Sequence, residues 1–352
     1  MKEDAPQFLE EIQDRWLSFH IYYHEGLDRV LRGLVHPVVS SLVENAQIES
    51  FFFIRHGLGG PHVRLRLKIF PHIGIEVTRT VERFARDFLE LTPSMKPLGE
   101  EVIQRFNQSI LASDPHESDD SIYPDNSFHR MPFRPEIQRY GGPDRFRLSL
   151  DFFTLSSVAA IEFLFRHAEA SRSLQLTAAF RLLLQQALGF AADEAELSDL
   201  LRYGVDWMGA NLPRIVEKGD RVARSQIDAF LDLFRRSISA VGLLSARRES
   251  VDASDLLILG AQRLSEATAA DHTTRVGIGG SQLHMTATRL GLSNAEEVYL
   301  SRLLTAALEA ARVRGGEAGL SWIGEKVSRE ESAEALGSLV PPALSALVKL
   351  PL

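Results

Sequence analysis

The stretch that most constrains this chain is Phe51–Phe70, FFFIRHGLGGPHVRLRLKIF. An aromatic and β-branched run, a glycine-rich break and a second such run predict two β-strands, Ser50–His56 and His62–Phe70, joined by a turn. Side chains two apart on a strand leave the sheet on the same side. His62, Arg64 and Arg66 are therefore expected on one face. Two guanidinium forks side by side suit one or two carboxylates, although a solvated charged face has the same pattern. In His56–His62 (HGLGGPH) the glycines suit a hairpin turn, where they supply positive φ. The stretch has no Lys-Ser/Thr pair and no helix after it, so it does not match a phosphate-binding loop.

Trp16–Tyr23 (WLSFHIYY) predicts another strand. Leu27–Glu44 has helical spacing of its apolar residues, with Pro37 expected to kink or split it. Ile73–Leu91 predicts a second helix and Glu100–Leu111 a third. The order β-α-β-β-α is the start of a ferredoxin-like unit, so the fold class expected is α+β. Ala112–Asp125 is acidic and turn-rich, as a surface loop is. From Pro143, which suits a first helical position, the pattern becomes mostly helical. Helices are predicted over Asp144–Ala168, Leu174–Leu188, Asp193–Asn211, Ser225–Ala240 and Ser254–Ala269. A glycine loop, Thr273–Ser281, is predicted next, then helices over Ser281–Gly291 and Ala295–Arg312. At 352 residues two lobes are expected, an α+β lobe over 1–142 carrying the arginine-bearing sheet and a helical one over 143–352.

The chain has no cysteine, which excludes disulfides, thiol nucleophiles and cysteine-based metal sites. A net charge of -8 argues against broad contact with a nucleic-acid backbone. The acidic N-terminus lacks the apolar core of a secretory signal, and no apolar stretch long enough to span a membrane is expected. A cytoplasmic protein fits these features. Of 11 histidines, six precede residue 73: His20, His24, His36, His56, His62 and His72. None forms a tight ligand pattern, so neither a metal nor an organic cofactor is expected. The GxSxG elbow of serine hydrolases is absent.

Two further segments carry chemistry. In Arg139–Pro143 (RYGGP), two glycines let the backbone pass close to a packing partner or a ligand. Arg139 leads into a helix N-terminus, where its charge opposes the dipole, so it calls for a carboxylate, from Glu136 or from a ligand. In VGIGGSQLHMTATRLG, Ser281 reads as an N-cap and His284 as a first-turn residue. A neutral imidazole there has a lowered pKa and can act as a base; a structural histidine fits the spacing as well. Arg289 lies five residues on, off the His284 face.

Taken in order, the Trp16–Tyr23 strand with its following helix, FFIRHGLGGPHVRLRLK, PEIQRYGGP and SQLHMTATRLG resemble the SpaB-C, or thiopeptide-type bacteriocin biosynthesis, domain. This domain forms the C-terminal part of class I lanthipeptide dehydratases and occurs as stand-alone proteins. The resemblance implies modification of a ribosomally made precursor peptide. One branch of the family eliminates glutamate from glutamylated Ser or Thr, giving dehydroalanine or dehydrobutyrine. A separate partner protein first attaches that glutamate from glutamyl-tRNA. The other branch, the pyridine synthases, joins two dehydroalanines in a formal [4+2] aza-cycloaddition. A non-catalytic leader-peptide binder is a third reading. Carried over by motif, the elimination residues are Arg64, Arg66, Arg139 and His284, with His62 and Arg289 as further substrate-binding residues. Where the family often has Asn-Arg, this chain has Thr288-Arg289. The partners implied are the precursor peptide and the glutamyl-tRNA-dependent transferase, with no direct nucleic-acid or membrane contact; a homodimer is compatible with the sequence.

Overall fold

The computed structural model describes residues 4–113, 121–244, 252–268, 271–315 and 339–351. The chain forms two compact units, one of residues 1–165 with 340–352 and one of residues 166–339. Much of the expected acidic loop over 112–125 lies outside the described residues.

The first unit holds a four-stranded antiparallel sheet: β1 Trp16–Tyr22, β2 Ile48–His56, β3 His62–Ile69 and β4 Ser127–Arg130, in the order β2-β3-β1-β4. With α2 Leu27–Val30, α3 His36–Glu44 and α4 Gly74–Leu91 between the strands, this completes the ferredoxin-like arrangement that the sequence began. β4 is only four residues long, with Phe128 as its one apolar residue, too short for an alternating pattern to announce it. α1, Asp4–Arg15, was likewise unmarked, yet its Phe8 and Ile12 are buried. Pro37 splits its helix as expected: a π turn at Leu31–Val35 takes up the missing N–H just before α3, which has Pro37 in its first turn.

The two sheet faces differ in chemistry. One presents Leu17, Phe19, Ile21, Phe51, Phe53, Val63, Leu65 and Leu67, all buried, and helices α2 to α4 cover it. Gly33 lets α2–α3 sit against the Phe88 ring of α4, where a Cβ would come within 2.7 Å. The other face carries the arginines. α5, Glu100–Ser113, braces the β2–β3 turn through Asn107, whose Oδ1 accepts the Gly59 N–H at 2.8 Å.

α6, Pro143–Arg166, starts at Pro143 as expected but stays with the sheet. Its Phe153 packs on Phe52, its Phe146 on Phe8 and Tyr140, and Ser157 Oγ accepts the Phe53 N–H at 3.2 Å on the edge strand. For that reason the compact units divide at Phe165/Arg166, not at 142/143. α6 also corrects the expectation that no membrane-length apolar stretch is present. It is long and apolar enough to cross a membrane, but 83% of its most apolar window is buried within the protein, as in a core helix. α13, Val340–Val348, returns to this unit, where the Leu347 carbonyl meets the His36 ring at 3.1 Å.

The second unit is helical: α7 Arg172–Phe190, α8 Glu194–Met208, α9 Pro213–Leu244 with a break at Gln226, α10 Ala253–Ala267, α11 His272–Arg289 and α12 Asn294–Gly315. The predicted glycine loop at Thr273–Ser281 is not a loop. Asp271, not Ser281, caps α11, its side chain accepting the Thr274 N–H. Gly279 and Gly280 lie inside the helix because it crosses other helices at close range. A Cβ on Gly279 would meet Phe190 and Leu200 at 2.7 Å, and one on Gly280 would meet the Tyr203 ring at 2.2 Å.

Candidate active site

The strand register assembles the polar sheet face row by row. Phe52 pairs with Arg66, which pairs with Ser18; Ile54 with Arg64, then His20, then His129; His56 with His62, then Tyr22, then Ser127. Period-2 alternation thus puts two arginines and four histidines on one side. His62, Arg64 and Arg66 share this face as expected. His20, His56 and His129 join them through pairing with strands that a local reading cannot align.

Hydrogen bonds fix the state of His62. Its Nδ1 lies 2.9 Å from the Gly60 carbonyl, which can only accept, so Nδ1 carries the proton. Its Nε2 then accepts from Arg64 Nε–H at 3.1 Å. The imidazole is neutral and orients a guanidinium. Arg66 is buried, its guanidinium stacked 4.9 Å from the Phe133 ring centroid and 5.6 Å from that of Phe52. The rings of His62 and His20 stack with centroids 4.9 Å apart, and the Tyr22 ring lies tilted against His62 at 4.4 Å.

Burial, reinforced by the Arg64 charge, pushes the His62 pKa down to about 3. Burial, then neighbouring His62 and the two arginines, holds His20 well below its ordinary value, and burial with Arg64 does the same for His56. The face therefore carries two permanent cations among imidazoles that stay neutral. Such a surface attracts carboxylates without titrating near neutral pH. Among the described residues no group of three or more His, Asp or Glu could hold a metal ion.

Arg139 lies in the turn before α6, and its Nη1 donates to Glu136 Oε2 at 2.8 Å, the protein partner anticipated for it. Both glycines after it adopt positive φ, and Gly142 serves backbone conformation rather than close approach. Gly141 and Gly142 have φ of 80° and 99°, and a Cβ on Gly142 would meet nothing within 4 Å. Tyr140 packs on Phe153, which packs on Phe52, so the turn adjoins the Phe52 end of the face.

His284 and Arg289 belong to α11 in the second unit. His284 is in the second half of that helix, so a helix N-terminus does not set its chemistry. A carboxylate does: Nδ1 lies 2.9 Å and 3.1 Å from the two oxygens of Glu297 on α12. The Trp207 ring stands edge-on to the imidazole at 4.7 Å. With Nδ1 engaged, Nε2 is the nitrogen available for proton transfer, and Glu297 would stabilise the imidazolium that results. Arg289 is fully buried. Sequence reading missed Glu297. A signal existed: Gly291, with φ of 78°, turns α11 into α12, and His284 and Glu297 stand seven before and six after it.

The family model of the lantibiotic biosynthesis dehydratase C-terminal region matches residues 16–308, spanning the arginine strands and α11. Among solved structures, the pyridine synthase TbtD from thiomuracin biosynthesis superposes with a TM-score of 0.69 at 20% identity, over 86% of this chain and 99% of that one. The tRNA-dependent lantibiotic dehydratase MibB from Microbispora sp. 107891 gives 0.55 at 18% identity, over 87% of this chain and 29% of that one. TsrL gives 0.55 at 13% identity, over 96% and 99%. At these identities the likeness is one of fold. No curated protein matches the chain by sequence.

Proposed function

The chain belongs to the lantibiotic biosynthesis dehydratase C-terminal family, and on that premise we propose that it eliminates glutamate from glutamylated Ser or Thr of a ribosomally made precursor peptide. The observation that carries this reading is the sheet face with Arg64 and Arg66 set among buried neutral histidines. Elimination removes the Cα proton, breaks the Cβ–O bond and releases glutamate as a carboxylate. Permanent cations stabilise the charge as it develops on the departing oxygen. Arg64, Arg66 and Arg139 are the proposed carboxylate-binding residues, and His62 orients Arg64 through the Nε–H bond. His284 is the proposed base, with Glu297 as its positioning residue. Arg289, being buried, supports α11 in this reading. The partners proposed are the precursor peptide and a transferase that loads glutamate from glutamyl-tRNA.

A second reading, pyridine formation from two dehydroalanines, is favoured by one observation, the fold likeness to TbtD over 99% of that chain. Mass spectrometry of two peptides separates the two. Loss of glutamate from a glutamylated peptide supports the lyase. Ring formation on an already dehydrated peptide sinks the lyase and supports the cyclase. No change in either, with leader peptide bound, leaves a scaffold.

For the lyase, His284→Ala and Arg64→Ala are each expected to accumulate glutamylated peptide, with a loss in rate on the order of 10²-fold or more. Glu297→Gln is expected to lower kcat by up to about 10²-fold while KM for the peptide holds, since Glu297 acts through His284. A change confined to KM would remove Glu297 from this role.

A further inference from the structure

Two polar side chains of the sheet face, Ser18 and His20, have been given no chemical role so far. Ser18 and His20 sit two apart on β1, Ser18 opposite Arg66 and His20 opposite Arg64. Side chains paired in this way are neighbours across the ladder, with Cβ atoms about 5 Å apart. Ser18 Oγ and His20 Nε2 are both buried, and neither has a hydrogen-bond partner. The His20 ring as a whole is only part-buried, so its edge is within reach of a bound group. A buried polar atom left unbonded costs stability, and proteins retain one where something else is served. Here two occur on same-face positions of one strand, each facing a guanidinium.

The neighbours decide what these atoms would bind. A hydroxyl and an imidazole nitrogen can each donate or accept. Two guanidiniums across the ladder repel a cationic group and attract an anionic one, so both atoms would serve as donors: Ser18 through its O–H, His20 through an Nε2–H. A carboxylate offers about four lone-pair sites, enough to take these donors together with an arginine fork.

We infer that Ser18 and His20 are substrate-binding residues that, with Arg64 and Arg66, hold a carboxylate of the departing glutamate; the identity of that ligand rests on the elimination reading. The site itself can be read without turnover. Glutarate carries the two carboxylates of glutamate without its ammonium, and methylammonium carries the opposite charge.

Calorimetric titration of the full chain is expected to show glutarate binding and no methylammonium binding. Ser18→Ala and His20→Phe should each weaken glutarate by about tenfold, the usual effect of one hydrogen bond to a charged group. The melting temperature without ligand should hold or rise in Ser18→Ala, because the change removes an unbonded atom and nothing else. A merely structural Ser18 would give the reverse, a lower melting temperature with glutarate affinity unchanged, and would overturn the inference. So would a wild-type protein that binds no glutarate, or one that binds methylammonium instead. If His20→Phe fails to fold, Ser18→Ala decides alone. Glutamate release from glutamylated peptide, measured on the same samples, keeps the two readings apart. Glutarate binding through Ser18 and His20 without release would sink the elimination and uphold the carboxylate site; release without glutarate binding would do the opposite.

Discussion

Lowering the pH from 6.5 to 4 is expected to cost the native protein about 3 kcal/mol through His62 alone, at roughly 1.4 kcal/mol per pH unit. The sign follows from the direction of the shift. His62 is held neutral in the folded chain down to about pH 3, whereas in the unfolded chain it takes up a proton near its ordinary value. Above 6.5 neither state binds the proton and the contribution is constant. Below it the unfolded state binds more protons, so stability falls as the pH falls, until the folded pKa is reached. His20 and His56 are lowered in the same sense and steepen the slope. Because the decline begins above the carboxylate range, it is separable from ordinary acid unfolding. Urea titrations at a series of pH values read it directly. A flat stability between pH 6.5 and 5, or a His62 resonance titrating near 6.5 in the folded protein, would refute it. His272 runs the other way: Asp199 raises its pKa through a hydrogen bond. Its contribution is present below 6.5 and is lost as the pH rises past the raised value; being fully exposed, it is small.

Three glycines of one helix should respond in opposite directions to the same change. Glycine inside a helix is worse than alanine by about 1 kcal/mol, so Gly277→Ala, whose Cβ would meet nothing within 4 Å, is expected to stabilise by about that amount. Gly279→Ala and Gly280→Ala gain the same propensity but drive a methyl into Phe190, Leu200 or the Tyr203 ring. Overpacking of that kind costs about 1–3 kcal/mol, sometimes more. The contacts at Gly280, 2.2 Å to 2.6 Å from ring atoms of Tyr203, belong at the upper end. For a unit of this size, each 1 kcal/mol shifts the melting temperature by about 2–4 °C. Gly280→Ala melting above the wild type would refute the close crossing of α11 over α8.

These glycines also show where reading the sequence stops. VGIGGS has the composition of a loop, and nothing within it says that Phe190, Leu200 and Tyr203, some eighty residues earlier, wait on the other side. The placement of His284 at a helix start failed with it. The arginine strands were legible because alternation is local: His62, Arg64 and Arg66 share a face whatever else the chain does. The rest of that face was hidden, because His20, His56, His129 and Ser18 reach it only through pairing with strands whose register depends on the whole sheet. β4, four residues long with Phe128 its one apolar side chain, is too short to carry a pattern. Glu297 stood beside Glu296, which pairs with Arg172 instead, and only the turn at Gly291 tells the two apart.

The return of α13 to the first unit has a consequence for how the chain is made. Synthesis proceeds from the N-terminus, so β1 to β4 and α6 leave the ribosome long before Val340–Val348 can reach α3 and β2. For that interval the sheet unit lacks the side chains of Val340, Ala343, Leu344 and Leu347, all buried in the finished protein. The unit that starts to emerge before the helical one is thus completed after it. A fragment ending at Phe165 would expose this seam permanently, whereas one that splices residues 340–352 back through a short linker would restore the whole unit.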